Sequence, residues 1–299
     1  MGCVVDEDLI TNVKLDYIQD FEMMFDVMRL ERPRESAVYY TILVVDNPKE
    51  FSDFLRISEK LANISRRPLE AGRTCLFRNG LIAKVLFSSE SNEDEFGRER
   101  YLPVSPRVIW EETKDRLKPL ISEDTFQNIE KHLGEIISMY NQNFKTYGIK
   151  LKRNGNVTLQ HSKRWIFYMM LNNSLEKGED IKIYMGGEDL SEEDTARYLK
   201  KFLELSKKVR VIIEKEENLS TVLKLKEEFK DKLDVRYFPN EVTGFFRNFV
   251  FGKEFAFTGI KILSEEENLS YVGTAYVDLE HIDEISRKFE NLWNLGKPV

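Results

Sequence analysis

The side chains of this sequence best suited to chemistry are cations. Between positions 60 and 84 stand Lys60, Arg66, Arg67, Arg73, Arg78 and Lys84, against a single acid, Glu70. A guanidinium carries a planar fork of donors that grips a phosphate or takes a guanine edge bidentately, and Thr74 adds a hydroxyl beside Arg73. Further on, Arg98 and Arg100 continue the series. The chain as a whole has a formal net charge of −7, so attraction to a polyanion must come from this local patch.

Histidine and thiol chemistry have little material. The chain holds His132, His161 and His281, with Cys3 and Cys75, too far apart in sequence to suggest a metal-ligand cluster or a disulfide framework. No metal and no cofactor are therefore expected, and two separated thiols suit a reducing, cytoplasmic compartment. Gly186-Gly187 has no G-x-G-x-x-G or Walker surroundings and reads as a plain turn. Glu188, Asp189, Glu192, Glu193 and Asp194 are explained by a helix start, where the macrodipole favours acids. Phe245, Phe246, Phe249, Phe251, Phe255 and Phe257 are dense enough to line an apolar pocket, although a core is the commoner use of alternating phenylalanines.

The elements that must carry the cations follow from apolar spacing. Residues 8–30 show Val13, Tyr17, Ile18, Phe21, Met24, Phe25 and Met28 at steps of three and four, an amphipathic helix ended by Arg32-Pro33-Arg34. Helices are expected over 35–45 and 49–62, with breaks at Asp46-Asn47-Pro48 and at 63–68. A further helix from Pro68 to about Asn79 ends at Gly80, and strands over 81–87 and 98–104 flank a polar tip. The order is helix, helix, helix, hairpin. A long helical stretch then breaks near Pro119, and Phe126, Ile129, Leu133, Ile136, Tyr140 and Phe144 form a seam that reads as a dimer contact, although a core-facing helix within one chain would show similar spacing. After Gly155 strands are expected at Ile181–Met185, 209–214, 235–238 and 271–277, with a hairpin over 249–262. Helices are expected over 192–205, 219–230 and 280–295, which implies a largely parallel sheet with helices packed on it.

With 299 residues, 41% hydrophobic and 32% charged, the chain is long enough for two domains and a connector. No apolar run approaches the roughly 18 residues of a membrane span. Asp6, Glu7 and Asp8 stand where a signal peptide would be basic, and the Met1-Gly2-Cys3 start lacks Ser or Thr at position 6 for a myristoyl anchor.

The stretch Leu76-Phe77-Arg78-Asn79-Gly80-Leu81-Ile82, with Gly97-Arg98-Glu99-Arg100-Tyr101-Leu102-Pro103-Val104-Ser105-Pro106 after the hairpin, resembles the winged-helix domains of archaeal TrmB-type regulators. The run from Ile181, through Tyr271-Val272-Gly273-Thr274-Ala275-Tyr276 to Phe289-Glu290-Asn291-Leu292-Trp293, resembles the phospholipase-D-like effector domain of such proteins. The resemblance spans roughly residues 35–293 and implies a wing over 87–101, with Arg98 and Arg100 at the DNA backbone. There are departures. Arg73 stands where these domains carry an apolar residue, and Glu90, Glu93, Asp94 and Glu95 make the wing tip acidic. Active phospholipase-D-type enzymes need His-x-Lys-x4-Asp; His161-Ser162-Lys163 is followed at the last position by Tyr168, and it is expected to precede the first strand of the sheet. The resemblance therefore implies a silent domain with no catalytic residue.

Together these readings give an N-terminal helix over 1–34 and an α+β winged helix-turn-helix domain over 35–106. A helical connector follows over 107–150, then an α/β phospholipase-D-like domain over 151–299 that senses or assembles. The expected function is a sequence-specific DNA-binding transcriptional regulator, with Arg66, Arg67, Arg73, Thr74, Arg78, Lys84, Arg98 and Arg100 at the DNA. The expected partners are duplex DNA, a second copy through the 107–147 helices, and a small-molecule effector of unspecified identity; no membrane is expected. The competing reading is a protein-interaction scaffold built on the same folds, in which the arginines form a solvated face.

Overall fold

Apolar spacing builds the first of two units out of helices. The computed structural model describes residues 11–88, 100–144, 155–185, 193–214, 216–239, 246–262 and 270–299. The first unit comprises Met1–Ile82 with Pro103–Lys145, and the second Ala83–Leu102 with Thr146–Val299.

In the first unit α1 (Leu15–Val27), α2 (Pro33–Val45), α3 (Phe51–Ala62), α4 (Arg66–Arg78), α5 (Pro106–Leu117) and α6 (Glu123–Phe144) follow one another. Every residue of α2 from Ser36 to Val45 is buried. A helix apolar all round must be central, and α1, α3, α4 and α6 pack against it. Phe21 and Phe25 of α1 meet Tyr40 edge to face at 4.8 and 5.6 Å, and the Tyr40 hydroxyl donates to the Val104 carbonyl at 2.5 Å.

The seam on α6 has a different use from the one expected. Phe126, Ile129, Leu133, Ile136 and Phe144 are buried, and α6 packs on α1, α2 and α5 of its own chain. Tyr140 donates to the Pro103 carbonyl at 3.3 Å, and the Asn143 amide to the carbonyls of Val44 and Val45 at 2.9 and 2.7 Å. A period of three and four records a buried stripe without saying which chain buries it. The dimer contact expected through the 107–147 helices therefore loses this seam, because the chain covers it itself.

The second unit is built on a sheet of ten strands in the order β10-β6-β5-β4-β7-β8-β9-β3-β1-β2. Its strands are β1 (Ile82–Ser88), β2 (Arg100–Pro103), β3 (Asn156–Ser162), β4 (Ile181–Met185), β5 (Val209–Ile213), β6 (Leu233–Tyr237), β7 (Phe246–Phe251), β8 (Phe255–Ile262), β9 (Ser270–Tyr276) and β10 (Lys297–Pro298). The helices are α7 (Lys163–Lys177), α8 (Glu193–Leu205), α9 (Leu219–Phe229) and α10 (Leu279–Leu295). Among the described residues β4, β5 and β6 pair in parallel, joined by the α8 and α9 crossovers; the pairs β4/β7, β7/β8, β8/β9, β9/β3, β3/β1 and β10/β6 are antiparallel. The largely parallel sheet expected is thus a mixed one.

Of the strands and α-helices named above, β3, α7 and the two-residue β10 escape the sequence reading. In β3 the inward Val157, Leu159 and His161 alternate with Asn156, Thr158, Gln160 and Ser162, a face too polar to announce a strand. In α7 Trp165 to Leu171 are all buried, so the helix shows no period. His161 consequently lies on a strand of the sheet instead of preceding it. The hairpin expected as a wing also has another setting, because β1 pairs with β3 from Lys84 opposite Gln160 to Ser88 opposite Val157. Residues 83–102 of the expected 35–106 domain thereby fall in the second unit. The hairpin tip with its acids, the 186–192 segment, and the side chains of Glu193 and Asp194 lie outside the described residues.

Phe249, Phe251, Phe255 and Phe257 are buried, which gives these phenylalanines the core role. Gly273 is there for the ring of Phe257: a Cβ at position 273 would stand 2.1 Å from its Cζ. On the other face Ile282 and Ile285 of α10 pack on Val250 and Ala256, and Phe289 on Tyr184 and Ile212.

Candidate nucleic-acid interface

Three residues separate α3 from α4. Asn63 takes a left-handed conformation (φ 53°, ψ 41°), which Asn tolerates better than most residues, and Ser58 Oγ donates to the Ile64 carbonyl at 2.8 Å to fix the turn. Ser65 is the N-cap, so α4 starts two residues before the Pro68 of the sequence reading. The backbones of α4 and α2 approach closely at Gly72, where a Cβ would meet Glu35 C and O at 2.5 Å and Ser36 N at 2.8 Å. Leu69, Gly72, Cys75 and Leu76 form the buried face. The opposite face is left for solvent.

That face holds five of the expected residues. Arg66, Arg67, Thr74 and Arg78 are exposed and Arg73 is half-buried. Arg66 Nε pairs with Glu70 at 3.0 Å, and the guanidinium carbons of Arg66 and Arg73 each lie 5.7 Å from the centre of the Phe51 ring. The Thr74 hydroxyl donates to the Glu70 carbonyl at 3.0 Å. Cys75 is buried and free. Lys84 and Arg100 lie on β1 and β2, in the sheet of the second unit, and are half-buried there; Arg98 lies outside the described residues. Arg73 is tolerated where an apolar residue was expected because positions 72 and 76, not 73, enter the core.

His161, the histidine of the His-x-Lys triplet, is buried between rings. Trp165 lies at 5.2 Å, Phe257 at 5.3 Å and Tyr271 at 5.7 Å, and Nδ1 donates to the Ser162 carbonyl at 2.8 Å. Burial pushes its pKa down to about 4, against the Ser162 carbonyl, and the nearby Arg247 charge pushes the same way. At neutral pH the ring is uncharged and closed to solvent. Arg247, also buried, stacks 4.0 Å over Tyr271 and donates to its hydroxyl at 2.8 Å. Among the described residues no group of three His, Cys, Asp or Glu could hold a metal ion, and no helix is long and apolar enough to cross a membrane.

Neither a protein-family model nor a curated protein sequence matches the chain. Solved structures similar to it include Nuc, a phospholipase D family member from Salmonella typhimurium, at 10% identity and a TM-score of 0.37 over 48% of this chain and 98% of that one. NucT from Helicobacter pylori is 15% identical with a TM-score of 0.36, over 48% and 99%. TrmBL2, an archaeal chromatin protein described as showing a novel mode of DNA binding, is 14% identical with a TM-score of 0.36, over 80% and 86%. Scores this low leave the family of the chain open.

One basic residue was missed by the sequence reading. Arg34, at the start of α2, donates to the carbonyl of Ala62 at 3.3 Å, which brings a further guanidinium to the turn between α3 and α4. In the sequence Arg32-Pro33-Arg34 signals a helix stop, since it interrupts the helical spacing. The neighbourhood of a turn 28 residues away is visible only once the helices are packed.

Proposed function

We propose that the protein binds duplex DNA through the exposed face of α4 and acts as a transcriptional regulator of the winged-helix kind. The observation that carries this reading is a helix whose outer face presents Arg67, Thr74 and Arg78 to solvent, beside Arg66 and Arg73 over the Phe51 ring, set after a three-residue turn and locked on α2 at Gly72. In a helix-turn-helix the second helix enters the major groove while the first crosses the backbone, and α4 and α3 are the matching pair. Arg34 adds a cation at the turn. Lys84, Arg98 and Arg100 are retained as proposed backbone contacts of the hairpin. The reading makes no use of a homodimer through residues 107–147, since the seam there is covered from within.

The second unit is proposed to sense or assemble without catalysis, in the manner of a degenerate phospholipase-D-like domain. A nucleophilic histidine must reach its substrate, and His161 is buried and ring-stacked. A phosphodiester incubated with the protein is expected to stay intact; cleavage lost on His161→Ala would overturn this.

Fluorescence anisotropy of a labelled duplex, titrated with salt, tests the DNA reading. The parent is expected to bind with an affinity that falls steeply as salt rises, and Arg67→Ala with Arg78→Ala to lower that slope by about two while leaving the helical signal unchanged. A parent that shows no salt-dependent binding would favour the protein-interaction reading instead.

A further inference from the structure

The exposed face of α4 is two stripes. Residues three and four apart on a helix share a face, so Arg67, Ala71, Thr74 and Arg78 make one stripe and Arg66, Glu70, Arg73 and Phe77 the next. The second is occupied. Arg66 is paired with Glu70, and Arg66 and Arg73 both cap the ring of Phe51. Phe51 stacks on Phe54, with planes 17° apart, and Phe54 on Tyr39 of α2 at 4.9 Å, so this stack runs from the core to the two guanidinium groups. A phosphate that approached this stripe would also meet the Glu70 carboxylate.

The first stripe has no acid, and no hydrogen bond or ion pair engages Arg67 or Arg78 among the described residues. Eleven residues at a rise of about 1.5 Å set these two arginines roughly 16 Å apart along the axis. That spacing, with two flexible stems, suits the two phosphate walls of a major groove about 12 Å wide and brings the short Ala71 and Thr74 to its floor.

Resting on the DNA-binding reading, we propose that only the Arg67-Ala71-Thr74-Arg78 stripe meets the duplex, while Arg66 and Arg73 are positioning residues that brace α4 on α3. Salt-titrated anisotropy on the full chain with a short labelled duplex of mixed sequence separates the two stripes. Arg67→Ala and Arg78→Ala are each expected to lower the slope of log affinity against log salt by about one; Arg66→Ala and Arg73→Ala are expected to leave it unchanged. Ala71→Glu, which puts a carboxylate in the centre of the stripe at a position compatible with a helix, is expected to abolish binding with an unchanged circular dichroism spectrum. Phe51→Leu is expected to lower the melting temperature and keep the parent's slope. The division is overturned if Arg66→Ala or Arg73→Ala lowers the slope as much as Arg78→Ala, or if Ala71→Glu binds like the parent. A parent that does not bind at all sinks the DNA reading, and the division with it.

Discussion

At the scale of single residues, burial decides what His161 and Gly72 contribute. The unfolded chain takes up a proton on His161 near pH 6.5, whereas the folded chain resists until about pH 4. Protonation therefore favours the unfolded state between those values: this term is absent above pH 6.5, grows as pH falls, and is complete below about pH 4, at a cost of roughly 3 kcal/mol. Urea titrations of the parent and of His161→Phe from pH 7.5 to 4 check it. The parent is expected to lose more stability over that window, and parallel curves would mean that the imidazole titrates as if exposed. Gly72→Ala tests the α2–α4 contact. Both neighbours of the added Cβ are backbone, so the helices must part, and a loss of about 1–3 kcal/mol is expected in urea unfolding.

At the scale of elements, α6 carries a buried stripe whose partners are helices of the same chain. Asp at positions 133 and 136 would put charge into a core between α6 and its neighbours, at a cost of several kcal/mol. Leu133→Asp with Ile136→Asp is thus expected to collapse the cooperative thermal transition of the helical unit. A double variant that keeps the parent's melting curve and changes only its mass in light scattering would put the stripe between chains instead.

At the scale of the whole molecule, the first unit is discontinuous. The chain leaves it after Ile82 and returns at Pro103, where the Val104 amide donates to the Leu81 carbonyl at 2.8 Å and closes the base of the excursion. A fragment of residues 1–145 would keep β1 and β2 but lose β3, leaving β1 as an open edge that pairs with other copies. That fragment is expected to elute as large species in size-exclusion chromatography. The same fragment with residues 83–102 replaced by a short Gly-Ser link is expected to elute as a single helical species. If both elute alike, the sheet edge is not what β3 protects.

The sequence by itself determined the helices of the first unit, the strands between Ile181 and Tyr276 and the basic run around α4, because each rests on local pattern: apolar steps of three and four, short β-branched or aromatic runs, and charge. Pro68 misplaced the start of α4 by two residues, since a proline is accepted anywhere in a first turn and the helix begins at Arg66, directly after Ser65. Tertiary structure alone decided what each pattern is for. The α6 stripe is filled by α1, α2 and α5, the hairpin pairs with β3 through main-chain hydrogen bonds that carry no sequence signature, and the antiparallel order of the sheet follows from which strands come together. In β3 and α7 the local pattern is weak or missing, since the strand is wholly polar on its outer face and the helix is buried along Trp165–Leu171. Arg66 and Arg78 read alike as letters; the ring of Phe51, placed by the packing of α3, is what separates them.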